Sequence, residues 1–457
     1  MKKLTTLVLA AGLLVSSFAG SASAGEFKPV LQFAEEFTYG DGGFNSPENF
    51  NATSRIRFGF DYVASEDLSA TILFQYRNGS WGNNNGSDFT ADHELSGMKA
   101  GSHFRMRLAY IDWTIPSTDV KVRMGRHALV APSYAFGSAI LDGRGDGITI
   151  TSAINDNINL GFSWFRVDSD TQNAKNFEKG VNVEDDADAV MLNAEFAYDG
   201  FKVTPWVLYA HKQDNAMAGN YNTFQHEEYN SDSFVIGASA ELNMFDPFVF
   251  AVDALYTNTK YHNAPLFVED SFDAYYVAAK ASYKFDNGTA SLGGWYSNGV
   301  DYRGDFYRNN DTGYVILDGG FSASTILFDG NMVGVDGFTN KAQMGTDSPL
   351  GTWGLIAEYA NFSFIENLSH SARILYVEGT SKYDGYNTNA PLGSRKFLFS
   401  EDDSAIEIDF DTTYQIYKNL SATLQLGYAM FDQDNLPFGV DEQDDIFRSA
   451  LTFIYKF

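Results

Sequence analysis

Before any other feature, the fold is limited by alternation: apolar and polar side chains exchange places with a period of two through one segment after another. Across residues 55–62, Ile56, Phe58, Phe60 and Tyr62 fall on one face, and Arg55, Arg57, Gly59 and Asp61 on the other. Leu68, Ala70, Ile72, Phe74 and Tyr76 oppose Ser69, Thr71, Gln75 and Arg77. Phe104, Met106, Leu108 and Tyr110 oppose Arg105, Arg107 and Ala109, and Val120, Val122 and Met124 oppose Lys121 and Arg123. The pattern returns at 158–164 and 420–428. Neighbouring residues of a strand point to opposite sides of the sheet, so these segments are strands with one apolar face. The 39 Phe and 26 Tyr, against only 10 Pro, suit strands better than helices.

The first residues read differently. Lys2 and Lys3 precede an apolar stretch, residues 4–19, and an Ala22-Ser23-Ala24 site. This is the layout of a signal peptide cleaved after Ala24, so residues 1–24 are expected to be a leader and 25–457 the folded domain. A membrane anchor would need a longer apolar stretch, and a lipoprotein would need a Cys, of which the chain has 0. The absence of Cys also removes disulfides, thiol nucleophiles and cysteine-ligated metals. The formal net charge is −28, and loss of the two lysines makes the remainder more acidic still. Such a balance argues against a nucleic-acid partner, whose phosphates call for clustered Lys and Arg. After residue 24 no apolar run reaches the ~20 residues that a membrane helix needs. The choice is between a soluble exported β-protein and a membrane β-barrel.

Connection lengths favour the barrel. Eight short polar turns recur, at 65–67, 117–119, 155–157, 199–200, 245–247, 286–288, 366–367 and 418–419. Between them lie long loops rich in Asn, Gly, Asp and Ser, at 78–102, 169–186, 213–232, 298–350 and 379–404. Short turns on one side and long loops on the other describe a transmembrane antiparallel β-barrel of the outer membrane, with short periplasmic turns and long extracellular loops. Eight turns plus a first strand near residues 27–37 give about 18 strands, with 16 as the alternative. A barrel this wide has an aqueous lumen. The chain ends on an alternating segment, with Phe447, Leu451, Phe453, Tyr455 and Phe457 on one face, which resembles the assembly signal of bacterial outer-membrane proteins. Aromatics near strand ends, among them Tyr62, Tyr110, Trp113, Tyr198, Tyr256 and Tyr428, fit interfacial girdles. Trp206 and Trp295 are the candidates for a lumenal sugar-stacking surface.

If the apolar face meets lipid, the polar face lines the lumen. In the first third that face is basic: Arg55, Arg57, Arg77, Arg105, Arg107, Lys121 and Arg123 form a candidate pore-lining wall. Farther along it turns acidic, with Glu195, Glu241, Asp253, Asp273, Glu358, Glu407, Asp409 and Asp411, although Lys202 and Arg373 persist. Separated signs set up a transverse field, and such patches govern ion selectivity.

The third long-side loop, 127–146, is more apolar than its counterparts and lacks their Asn-rich character. Folding into the lumen would bury it. Its charged and titratable residues, Arg126, His127, Asp142, Arg144 and Asp146, are the candidate constriction set. Here the chain resembles the bacterial outer-membrane general porins, whose third loop bends inward opposite clustered arginines. The acidic tip usual in that family is only partly present, as Asp142 and Asp146 around Arg144. Length, acidity, the Leu108-Ala109-Tyr110-Ile111-Asp112-Trp113 segment and the 137–147 loop are also similar to the homotrimeric porin family of sulfate-reducing bacteria. That resemblance implies a homotrimer and uptake of small anions such as sulfate.

No catalytic signature accompanies the pattern. There is no H-E-x-x-H and no G-x-S-x-G, and none of the 7 His sits in a recognisable triad context. The expectation is a non-enzyme without cofactor. Acidic runs at 184–188, 401–403 and 441–445 could hold Ca²⁺ loosely, in contact with lipopolysaccharide phosphates, or serve as solvated charge. His103, His127 and His211, at strand ends, are candidates for tuning conductance with pH. The expected function is passive diffusion of small hydrophilic solutes and inorganic ions across the outer membrane, with partners limited to those solutes and to lipid and lipopolysaccharide. The alternatives are a substrate-specific channel and a closed structural or adhesive barrel.

Overall fold

The computed structural model describes residues 25–41, 49–81, 104–169, 186–212, 230–262, 271–299, 301–303, 317, 319–328, 349–384, 400–433 and 444–457. Eighteen antiparallel strands close on themselves. The first is β1 (Glu26–Asp41). Eight hairpins follow on short turns: β2 (Asn49–Ser65) with β3 (Leu68–Ser80), β4 (Phe104–Thr114) with β5 (Val120–Val130), β6 (Asp142–Asn155) with β7 (Ile158–Ser169), and β8 (Asp186–Tyr198) with β9 (Phe201–Lys212). Then come β10 (Asn230–Phe245) with β11 (Phe248–His262), and β12 (Ser271–Phe285) with β13 (Gly288–Ser297). β14 (Asp301–Arg303) lies apart from the wall. The remaining hairpins are β15 (Thr352–Ile365) with β16 (Leu368–Gly379), and β18 (Ser404–Tyr417) with β19 (Leu420–Asp432), before the last strand, β20 (Ile446–Lys456). β17 (Lys382–Asp384) pairs only with β14, in parallel, among the long loops.

β1 pairs with both β2 and β20, which closes the barrel. The seam is tied at its end, where Phe457 N–H donates to Leu31 O at 2.8 Å and Leu31 N–H to Phe457 O at 3.2 Å. All eight expected short turns are present, and the strand number is the 18 that they imply. Ser117, Asn367 and Gly200 take positive φ in three of the turns, which lets so few residues reverse the chain.

The barrel is turned apolar side out. Leu292, Leu355 and Ile374 are 68%, 58% and 51% exposed on the outer surface. In water such a surface would aggregate, whereas a bilayer covers it. The buried apolar cluster is inside instead. It is built from lumen-facing residues of the wall together with residues 131–141 and 321–328.

One strand departs from simple alternation. In β4 the register against β3 shifts between the Leu73–Leu108 and Phe74–Met106 pairs, a β-bulge at Arg107. An extra residue reverses the phase, so Ile111 and Trp113 turn outward, at 46% and 40% exposure. Tyr110 and Asp112 turn into the lumen. The expectation that Tyr110 belongs to the outer girdle is therefore corrected: its ring lies 4.2 Å from the guanidinium of Arg123.

Candidate functional site

The β5–β6 hairpin leaves the wall on its way up. β4 stops pairing with β5 at Ala109–Arg126, yet β5 and β6 stay paired to Val130–Asp142. Beyond that point residues 131–141 run across the lumen. They are fixed by a carboxylate on the opposite wall: Asp253 of β11 accepts hydrogen bonds from the Ser133 hydroxyl at 2.7 Å and from the N–H groups of Tyr134 and Ala135, both at 2.8 Å. Ser239 of β10 donates to Pro132 O, and the Tyr134 and Thr204 hydroxyls share a hydrogen bond. Residues 131–141 thus lie inside the barrel, docked on the wall opposite their own hairpin.

A second inward segment was not foreseen. Leu317 and residues 319–328, inside the long 298–350 loop, lie along the first. Leu317, Gly320 and Ser322 N–H groups donate to the carbonyls of Ile140, Ser138 and Phe136 at 2.9, 2.8 and 2.7 Å. Gly137, at φ +86°, crosses directly over Gly320, where any Cβ would strike the Gly320 carbonyl. The tip is held like the first loop. Glu407 of β18 accepts from Thr325, Ile326 and Leu327 N–H groups at 3.0, 2.6 and 2.9 Å, and Asp409 accepts from Thr325 N–H at 3.1 Å. Phe321 is fully buried, with its ring centroid 5.0 Å from that of Trp295, 5.1 Å from Phe328 and 5.9 Å from Phe136. The signal available in the sequence was the apolar run Phe321-Ser322-Ala323-Ser324-Thr325-Ile326-Leu327-Phe328 within a polar loop.

These contacts revise the acidic wall. Asp253, Glu407 and Asp409 are anchors, each at most 4% exposed and covered by loop. Glu195 pairs with Lys202 at 2.6 Å, and Arg373 is bound by Glu358 and Asp411 at 2.8 and 2.7 Å. Asp273 is on the outer surface, where it accepts from Tyr256 Oη and Asn258. Trp206 and Trp295 are lumenal but 4% exposed, so the loops cover any stacking surface they would offer.

The basic wall divides in two. Arg57 Nε and Arg107 Nη1 both donate to one oxygen of the buried Gln75 amide, at 2.8 and 3.0 Å, and Arg57 Nη1 donates to Gln32 at 3.1 Å. The charges of Arg55, Arg105 and Arg144 act on both guanidiniums. Five like charges thus converge, with the central two positioned by neutral amides. Arg144, contributed by the inward hairpin, joins this group from the loop side.

Arg123 does not join it, because it makes a two-pronged ion pair with Asp112 at 2.7 and 2.8 Å. Lys121 is exposed beside the 117–119 turn, at the far end of the wall. Arg77 has a backbone in β3, but its side chain lies outside the described residues. Of the constriction set, Arg126 and Asp146 face each other at 3.4 Å where the hairpin bends. Asp142 lies against Gly320 of the second segment. His127, also of that set, is buried, with its ring nitrogens against Gly125 O and the Thr149 hydroxyl, both at 2.8 Å.

Residues 1–24, His103 and parts of the 184–188 and 441–445 runs lie outside the described residues. In the 401–403 run, Asp403 accepts from the Ser400 N–H and hydroxyl, and Glu401 pairs with Lys382 at 3.7 Å. Among the described residues, no group of three or more His, Asp or Glu is arranged to hold a metal ion.

No protein-family model matches the chain, and no curated protein matches it in sequence. Solved structures do share its fold. The outer membrane protein OprD from Pseudomonas aeruginosa superposes with a TM-score of 0.51 at 13% identity, covering 95% of each chain. OccAB1 of Acinetobacter baumannii gives 0.53 at 12% identity over 94% of this chain and 96% of that one. OccK2 (OpdF) of Pseudomonas aeruginosa gives 0.52 at 11% identity over 94% and 97%. The chain therefore has the fold of an 18-stranded outer-membrane barrel. These likenesses do not extend to the trimeric family of sulfate-reducing bacteria.

Proposed function

We propose that the chain is a selective outer-membrane channel for small hydrophilic anions. The observation that carries this reading is the meeting of Arg57, Arg107, Arg55 and Arg105 on one wall with Arg144 on the inward hairpin. A solute passing between wall and loops crosses a zone where Arg57 and Arg107 are positioned by uncharged amides and the charges of Arg55, Arg105 and Arg144 lie close by. Guanidiniums fit carboxylate and phosphate oxygens in pairs, which favours anions of that geometry.

Two docked inward segments support a selective channel over a wide general pore. Each is fixed at several backbone N–H groups and packed around Phe136, Trp295 and Phe321, so the lumen is narrowed by structure with one arrangement. The same barrel gives no support to a preference for sulfate over other small anions. A homotrimer remains an expectation from the resemblance alone.

The test is entry of solutes into proteoliposomes. Small organic anions should enter faster than neutral sugars or cations of equal size. Equal rates for all three would reject the anion reading, and no entry would reject the channel.

A further inference from the structure

The outer surface of β7–β11 carries a groove of about 760 Å³. Pro205, Ala238 and Ala254 form its floor, in register across three strands, and Leu160, Leu192 and Ile236 rise beside it, at 43–50% exposure. Directly above, on the same outward faces of β9, β10 and β11, sits a polar crown. Asp232 accepts hydrogen bonds from Tyr209 Oη at 2.6 Å and from His211 Nδ1 and His262 Nε2, both at 2.7 Å. Lys260 stands opposite Asp232 in register. On the flanks, Arg166 pairs with Asp188 at 2.9 Å, and Asp273 is occupied by Tyr256 and Asn258.

The spacing of groove and crown matches one leaflet. From Ala238 to Asp232 is six residues of β10, about 20 Å at ~3.3 Å per residue. With strands tilted by ~40°, that is about 15 Å along the membrane normal, half of a ~30 Å hydrocarbon core. The groove floor is then at mid-bilayer and the crown at the headgroups.

We infer that this face holds one lipopolysaccharide molecule, with an acyl chain in the Pro205–Ala238–Ala254 groove and a phosphate at the His211–Lys260–His262 crown. Each imidazole uses one nitrogen on Asp232. Lys260 sets an ammonium in register beside that carboxylate, so a phosphate over the crown meets an ammonium and two imidazole edges, while Asp188 is held by Arg166 and Asp273 by Tyr256 and Asn258. A second barrel packed here would have to bury these ionisable groups against its own apolar band, at a cost that a lipid headgroup avoids. The inference rests on the outer-membrane reading above and not on which solutes pass.

The experiment is native mass spectrometry of the purified barrel in dodecyl maltoside, titrated with bisphosphorylated lipid A, with dephosphorylated lipid A and with phosphatidylglycerol. One lipid A should be retained in preference to the other two. The H211Q/K260Q/H262Q variant should lose at least about tenfold in affinity, the scale of one lost charge-assisted hydrogen bond. A238L/A254L, which fills the groove from outside, should lose as much by an independent route. Both variants should keep the wild-type single-channel conductance, which shows that they fold. Equal retention of all three lipids, undiminished binding by the crown variant, or an oligomer that A238L/A254L dissociates would each overturn the inference. Lipid A binding by a barrel that conducts nothing would sink the channel reading and leave this one standing.

Discussion

Replacing Glu407 by Gln should release the second inward segment from the wall. Glu407 is 1% exposed and takes three backbone N–H groups, two on Oε1 and one on Oε2. Hydrogen bonds to a charged acceptor contribute roughly 1.5–3 kcal/mol each, and neutral ones about 1. Glutamine keeps one carbonyl oxygen for Thr325 and Ile326, so those two bonds each weaken by about 1 kcal/mol. Its amino group then meets the Leu327 N–H, donor against donor, and a buried unpaired donor costs about 1–3 kcal/mol. The total is about 3–5 kcal/mol against docking, or roughly two to four powers of ten in the docked-to-undocked ratio. The strands lose nothing, so the heat-modifiable mobility of the barrel on a gel should not change. Single-channel recordings should show frequent excursions to a larger conductance that are rare in the wild type. Recordings indistinguishable in level and noise would refute the anchoring role of Glu407 and leave the aromatic cluster as the fastening.

Three further expectations follow from the same contacts. Asp253→Asn should loosen residues 131–141 in the same way, since Asp253 holds the Ser133 hydroxyl and two N–H groups, and current noise reads it out. Phe321→Ala removes a fully buried ring from between Trp295, Phe136 and Phe328 and should weaken loop docking by about 3–5 kcal/mol, seen as a higher open-level conductance without loss of barrel mobility. Arg123 and Asp112 form a neutral pair, so the R123Q/D112N double variant should leave the zero-current potential where it was; a shift comparable to that from Arg57 would mean that Arg123 belongs to the selectivity wall after all.

The barrel was legible because strand alternation and turn chemistry are local. The eight turns could be counted from short polar clusters, and the apolar faces from a period of two. Alternation fails where one residue is inserted: nothing in Arg105-Met106-Arg107-Leu108 announces the bulge that sends Tyr110 inward, because the bulge depends on pairing with β3. The basic wall was readable as a set of residues but not as a set of partners. Arg57 and Arg107 meet glutamine, whereas Arg123 meets a carboxylate eleven positions away, across a turn. The acidic wall misled for the same reason. Asp253 and Glu407 look like field-setting charges until loops 80 or more residues distant in the chain donate their N–H groups to them. Long-range partners of this kind leave no mark on the sequence near either end.

Anion selection at the arginine cluster is read out by the zero-current potential of the purified protein in a planar bilayer under a salt gradient, wild type against R57Q/R107Q. A guanidinium about 7 Å from a passing ion contributes roughly 0.6 kcal/mol even at the dielectric of bulk water. Each acts on anion and cation with opposite sign, so two change the anion-to-cation permeability ratio by about fiftyfold. The wild type should be anion-selective, and its preference should fall by about that factor in the double variant. A cation-selective wild type, or a double variant with an unchanged potential, would contradict that reading.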